Sequence, residues 1–243
     1  TRPLPHNLSL IKDAMENERR TEYNVDMRPE EDFLSDILSA SQIRATDTYE
    51  TPPQIIWIDN STIATLGNFS ASTGKAKSKK TFNVSAIVAA SLAGKQVLNY
   101  RAHLPEGKRK ILYVDTEQSR FHCKRVLCRI LRLAGLPTDV HPPLLEFLCL
   151  RGYATKERLR KIEEAIYDLD DLGLVVIDGI RDLAHDINSP GEATDLITKL
   201  MQWTDERRIH IHTVLHLNKG DDNTRGHLGT ELNNKAETVL QIT

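Results

Sequence analysis

The chain has 243 residues, with 32 Lys and Arg against 34 Asp and Glu, a formal net charge of −2, and 40% hydrophobic residues. That is long enough for one large α/β domain plus an extension, and too balanced in charge to signal nucleic acid globally, so any such binding must come from local basic patches. No apolar run approaches the roughly 18 residues a membrane-spanning helix needs, which excludes a membrane partner at this level. No signal-peptide pattern is present, and the expected location is the cytoplasm. Cys123, Cys128 and Cys149 are odd in number and lack metal spacing, and they read as buried free thiols of a reducing compartment. The chain opens on Thr1 rather than Met, so a piece of a longer protein is expected.

Residues 1–50 are polar and charged, with helical pieces at Leu8–Arg20 and Pro29–Ala40. In the second, Phe33, Leu34, Ile37 and Leu38 make one apolar stripe. This is too little for a core, so a small N-terminal helical extension is expected to dock on the main domain or on a neighbouring subunit. Thr51-Pro52-Pro53 punctuates the boundary, dividing the chain into an extension over 1–50 and a domain over 51–243.

From Gln54 onward, strands and helices alternate. Ile55–Ile58 and Ala64–Phe69 read as strands, and an apolar, strand-like run lies within Thr65–Ser72. Then come Gly74, Lys75, Ala76, Lys77, Ser78, Lys79, Lys80, Thr81 and Phe82. This run is one residue away from G-x-x-x-x-G-K-[ST], the loop that cradles nucleotide phosphates. Gly74 permits close backbone approach, and successive N–H groups form a concave anion site. Lys80 would reach the β- and γ-phosphates, and the Thr81 hydroxyl would ligate Mg²⁺. Lys79 replaces the second glycine; it fits if its φ is negative and its side chain points outward. A solvated Lys-rich loop is the competing reading. The context favours phosphate binding, because Phe82–Leu92 has helical spacing and would add its positive N-terminal end.

Lys110–Asp115 is a buried strand running into Thr116-Glu117, and Ser119–Ala134 is an amphipathic helix with a basic outer face. Glu117 stands at the sheet edge where ligands bind in open α/β sheets, and is a candidate to polarise an attacking water. A helix N-terminal acid is the alternative, and Asp115 reads as a supporting residue. Leu144–Leu150 is a strand, Lys156–Leu169 a helix, and Leu172–Ile177 an apolar strand ending at Asp178. Such an aspartate beside a phosphate loop orients Mg²⁺ through its water shell; Asp182 is a weaker helper. Glu192–Arg207 is a helix, Ile209–Leu217 a strand and Glu237–Ile242 a final strand. His216 and Asn218 share one face and are candidates to sense the γ-phosphate. The polar loop after them is either functional or solvated, and its Lys219 and Arg225 are candidates for nucleic-acid phosphate or for a neighbour's nucleotide. His185, His210 and His212 have no metal spacing and read as structural or surface residues. Apolar strands separated by helices of this length predict a mainly parallel sheet covered on both faces.

The order of phosphate loop, strand–D-T-E, strand–Asp and strand–H-L-N-K resembles the RecA-like P-loop ATPases, over about Gln54–Thr243. The resemblance is to the RepA/DnaB-type branch, the replicative-helicase-like ATPases of plasmids, phages and mobile elements. GNFSASTGKAKSKKTF and HLNKGDDNTRGHLGTEL are similar to AAA-type ATPases of bacterial mobile elements. The resemblance implies an α/β RecA-like P-loop NTPase core with ATP and Mg²⁺ as cofactors. It implies that Lys80 and Thr81 bind phosphate and metal, Glu117 activates water, Asp178 is the acidic strand end and His216 the polar sensor. Loops 184–194 and 219–229 would face DNA, and Arg225 or Lys219 would resemble a finger supplied in trans. The implied function is an ATP-hydrolysing motor on single-stranded DNA, a helicase or replication or mobilisation factor. It would work as a homo-oligomer, ring or filament, with nucleotide at subunit interfaces. A nucleotide-binding oligomerisation switch with weak hydrolysis, favoured by Lys79, and a small-molecule phosphotransferase are the competing readings.

Overall fold

The computed structural model describes residues 37–75, 78–217 and 226–243. The chain divides into two compact units, Thr1–Glu50 and Thr51–Thr243. In the first, residues 37–41 are helical, and Ile37 and Leu38 are exposed. The segment Leu8–Arg20 lies outside the described residues.

In the second unit, Gln54–Ile58 (β1), Ser61–Thr65 (β2) and Tyr100–Ala102 (β4) form a three-stranded antiparallel sheet in the order β2-β1-β4. Phe69–Gly74 (β3), Lys110–Asp115 (β5), Leu145–Cys149 (β6), Leu172–Asp178 (β7), His210–His216 (β8) and Thr238–Ile242 (β9) build the main sheet. Its order is β6-β5-β7-β8-β3-β9, and every pairing is parallel. Parallel neighbours require crossovers, supplied by the helices Lys80–Ala93 (α1), Arg120–Ala134 (α2), Thr155–Asp168 (α3), Pro190–Arg207 (α4) and Gly226–Lys235 (α5).

Strand alternation sorts the apolar side chains into two cores. Ile111, Tyr113, Leu174 and Val176 face one way and pack with Val84, Ile87 and Val88 of α1 and Ile130 of α2. Leu112, Val114, Val175 and Ile177 face the other way, onto Ile162 of α3, Leu200 and Trp203 of α4 and Leu232 of α5. With both faces covered, β7 has no exposed residue, which is why it reads as an unbroken apolar run. This is the α/β architecture of a RecA-like P-loop core. Among the described residues, no helix is long and apolar enough to cross a membrane.

Three elements differ from the sequence reading. The run Ala64–Phe69 is not one strand: Gly67 turns the chain at φ 86 between β2 and β3. That φ suits glycine because it has no Cβ, and the Leu66 and Gly67 N–H groups donate to Pro53 and Ile209 carbonyls at 2.9 Å each. The phosphate strand therefore lies further along, at β3. Second, 184–194 is not wholly loop, because Ser189 caps α4, its Oγ accepting from Glu192 N at 3.3 Å with Pro190 in the first turn. Third, 219–229 is not wholly loop, because α5 starts at Gly226 and buries Leu228 and Leu232, four residues apart on one face.

The Ser and Thr residues of β3 are fully buried, and their hydroxyls are satisfied inside the sheet. His210 Nδ1 lies 2.8 Å from Thr65 O, an acceptor only, so that nitrogen carries the proton and Nε2 accepts from Ser70 Oγ at 2.7 Å. Ser70 Oγ in turn accepts from His212 Nδ1 at 2.8 Å, and His212 Nε2 accepts from Ser72 Oγ at 2.8 Å. Each partner is thus assigned one role along a single neutral chain. Burial holds His210 down at about 4 and His212 at about 3, with the neighbouring His210 adding to the second effect.

Candidate functional site

The carboxyl ends of β3, β5, β7 and β8 meet at one edge of the sheet, where ligands bind in open α/β folds. β3 ends at Gly74 because nothing larger fits: a Cβ there would lie 2.4 Å from Ile242 O and 2.5 Å from Ser78 Oγ. The chain then turns, Ser78 N–H donating to Lys75 O at 3.2 Å. Ala76 and Lys77 lie outside the described residues. Lys79 takes φ 62 and ψ 27 at the start of α1, contrary to the expectation of a negative φ. The position demands the left-handed conformation that glycine adopts freely, and a lysine there is strained by roughly 1–2 kcal/mol. Its carbonyl accepts from Phe82 N at 2.9 Å and Asn83 N at 3.0 Å, which closes the first helical turn.

Lys80 is buried, its Nζ donating to Gly74 O at 2.8 Å and Lys75 O at 2.6 Å. Burial is the main cause holding its ammonium below the ordinary lysine value, opposed by Asp178 and Glu117. Thr81 Oγ1 donates to Asp178 Oδ2 at 3.0 Å, and Tyr113 OH donates to the same oxygen at 2.8 Å. Burial first, and the Asp115 charge second, push the Asp178 carboxyl up to about 6. A hydroxyl and a desolvated carboxylate within 3.0 Å of each other form an all-oxygen donor set, which suits a hard cation such as Mg²⁺.

Asp115, wholly buried, caps the turn after β5. Its Oδ1 accepts from Glu117 N at 3.0 Å and Gln118 N at 2.7 Å, and its Oδ2 from Gln118 Nε2 at 2.8 Å. This turn delivers Glu117 to the edge, where its Oε2 lies 3.5 Å from His216 Nε2. Hydrogen bonding to His216 is the largest cause lowering the Glu117 carboxyl, ahead of the opposing effect of burial; the His216, Lys80 and Arg181 charges lower it further. Asp182 is engaged elsewhere, accepting from Thr116 Oγ1 at 3.1 Å and pairing with Arg158 at 3.8 Å.

The structure therefore brings Lys80, Thr81, Glu117, Asp178 and His216 to one edge, with Gly74, Lys75, Ser78 and Lys79 on the loop beside them and Phe82 in the first turn of α1. Asn218, Lys219 and Arg225 lie outside the described residues. Sequence reasoning missed Tyr113, whose hydroxyl holds Asp178, and Arg129, which lines the adjoining cleft of about 290 Å³ with Ser78–Phe82 and His216. Tyr113 carried one usable signal, a single phenol within an otherwise aliphatic strand that ends in Asp115. Of the cysteines, only Cys123 is buried; Cys128 and Cys149 are half-buried, and all three are free thiols.

A phosphate-type loop, a buried strand-end carboxylate against its threonine, and a second carboxylate at the neighbouring strand end define a P-loop NTPase. The sequence model of the family described as AAA domain matches residues 35–222, and the chain belongs to that family. It is a P-loop ATPase of AAA type, and the family implies use of nucleotide and, as a rule, Mg²⁺. No curated protein matches the chain.

Proposed function

We propose that the protein hydrolyses ATP at this edge and couples turnover to single-stranded DNA, as a motor of the RepA/DnaB-type, replicative-helicase-like branch. Copies of the chain would assemble with nucleotide between them. The observation that carries the reading is the convergence of Lys80, Thr81 and Asp178 with a Glu117 carboxylate held by His216. Lys80 and the loop N–H groups would bind the triphosphate, and Thr81 and Asp178 would hold Mg²⁺, which when bound would supply charge neutralisation on the phosphates. Glu117, kept ionised, accepts a proton from the attacking water. His216, at the end of β8, links that base to the residues that follow in sequence, among which the resemblance puts the DNA-facing segment.

The test is steady-state ATP hydrolysis with and without single-stranded DNA at low salt, beside a Lys80→Ala control. We expect DNA-stimulated turnover that Lys80→Ala abolishes and added salt weakens, because phosphate contacts release counterions. Turnover indifferent to DNA at every salt concentration would remove the motor reading and leave the ATPase. The strained Lys79 favours a second reading, a nucleotide-binding assembly switch that barely hydrolyses. Nucleotide-dependent assembly without turnover would select it.

A further inference from the structure

Between Ser119 and Gly135 the chain carries Arg120, Lys124, Arg125, Arg129 and Arg132 and no Asp or Glu, although its overall net charge is −2. Cys123, Val126, Ile130, Leu131 and Ala134 turn inward and are buried, while Arg120, Lys124, Arg125 and Arg132 are exposed. Among the described residues, no carboxylate pairs with any of these four. Phe121 stands among them 69% exposed, in an edge contact with His122 at a centroid distance of 5.4 Å. With Lys124, Arg125, Cys128 and Arg132 it lines a cleft of about 480 Å³. Its neighbour Arg120 lines a second cleft, of about 580 Å³, with Arg151 and Tyr153. Tyr153 is also exposed, and Lys161 Nζ lies 4.6 Å from its ring centroid. The fold thus adds to a basic helix an aromatic and two cations from outside it.

We propose that this outer face of α2 binds single-stranded nucleic acid, with phosphates on Arg120, Lys124, Arg125 and Arg132 and a base stacked on Phe121. From Arg120 to Arg132 the face runs about 18 Å along the helix axis. Unpaired cations interleaved with open aromatic rings are what a single strand needs, because its bases offer free π-faces that a duplex keeps stacked. An anionic membrane fits less well, since the apolar side of α2 is already taken by the core and has nothing left to insert. α2 begins three residues after Glu117, so a strand lying along it starts beside the hydrolytic edge. The proposal rests on the reading of the protein as a single-strand motor and adds to it a surface for the strand outside the loops after β7 and β8.

The test measures fluorescence anisotropy of two labelled probes at low salt, a thymidine oligonucleotide and an abasic one of the same length. The proteins are the wild-type chain, Phe121→Ala, Phe121→Trp and the double variant Arg125→Ala with Arg132→Ala. We expect Phe121→Ala to weaken the thymidine probe roughly tenfold or more and to leave the abasic probe unchanged, while Phe121→Trp binds both as the wild type does. The double variant weakens both probes alike and lowers the slope of log affinity against log salt by about 0.7 for each lost phosphate contact. Thermal melting and ATP turnover without DNA stay at wild-type values throughout. Wild-type binding of the thymidine probe by both alanine proteins overturns the site while leaving the motor reading standing. So does equal weakening of both probes by Phe121→Ala, or a loss that accompanies lost self-association in sedimentation without DNA, which would assign the face to a second copy of the chain. A wild-type chain that binds neither probe overturns the motor reading and this site together.

Discussion

Glu117 Oε2 and His216 Nε2 lie 3.5 Å apart, one at the exit of β5 and the other at the end of β8. One strand, β7, lies between β5 and β8 in the sheet order, so the pair bridges the site across the position of Asp178.

Because hydrogen bonding to His216 is the main cause lowering the Glu117 carboxyl, the base stays ionised below the usual glutamate range. We expect the Glu117 limb of kcat against pH, measured at saturating Mg²⁺, to lie below the ordinary 4.5 in the wild type and to move upward in His216→Gln. Glu117→Gln should lower kcat by about 10²–10⁴-fold with ATP affinity retained. A Glu117→Gln enzyme with wild-type turnover would remove Glu117 from the base role.

Asp178 carries a cost when no cation balances it. Its folded value of about 6 stands above the ordinary 3.8. Its contribution to stability is therefore fully present below the ordinary value and is lost as pH rises through the folded one. At neutral pH the ionised carboxylate destabilises the fold, so Asp178→Asn should raise the melting temperature by several degrees without nucleotide. The gain should shrink towards pH 4, while Mg²⁺-dependent hydrolysis is abolished. Melting curves at the two pH values decide it.

His210 and His212 work in the opposite direction. Their folded values, about 4 and about 3, lie below the ordinary 6.5, so the unfolded chain binds more protons. The stability they contribute is full above pH 6.5 and is lost as pH falls through 6.5 towards 4. Measured in the Asp178→Asn background, which removes the opposing trend, urea midpoints should fall steadily over that window. Replacing both histidines with glutamine should flatten the slope.

Lys79 is a natural experiment in loop strain. Lys79→Gly relieves the left-handed penalty but frees the unfolded chain at a cost of about 0.4–1 kcal/mol. We expect folding stability to change by less than about 1 kcal/mol while ATP binds more tightly, the loop being released from strain. Lys79→Val, branched at Cβ, should destabilise the fold and weaken ATP. Tighter ATP binding by the valine variant would contradict this account.

The parallel sheet was legible because β5 and β7 bury both faces and so run apolar without alternation. The strand-end carboxylates Glu117 and Asp178 were legible for a related reason, since a charge closing such a run has only the sheet edge to occupy. β3 was set too early because its register is written in hydroxyls, Ser70 and Ser72 paired with His210 and His212 and Thr73 with the Leu240 carbonyl. α5 passed for loop because only Leu228 and Leu232 betray a helical face among polar neighbours. Phe82 and Arg129 meet through the packing of α2 on α1, a tertiary contact with no trace in local spacing.

The wall behind the phosphate loop is made late. Gly74 is closed off by the carbonyl of Ile242, and Thr73 Oγ1 reaches Leu240 O across 167 residues of sequence. β3 is synthesised early yet is flanked on both sides by β8 and β9, which are synthesised last among these strands. A ribosome-bound chain lacking them has a phosphate strand with neither neighbour, so arrested nascent chains should capture nucleotide only after β9 has left the exit tunnel. Competence to bind would thus report that β8 and β9 are in place beside β3.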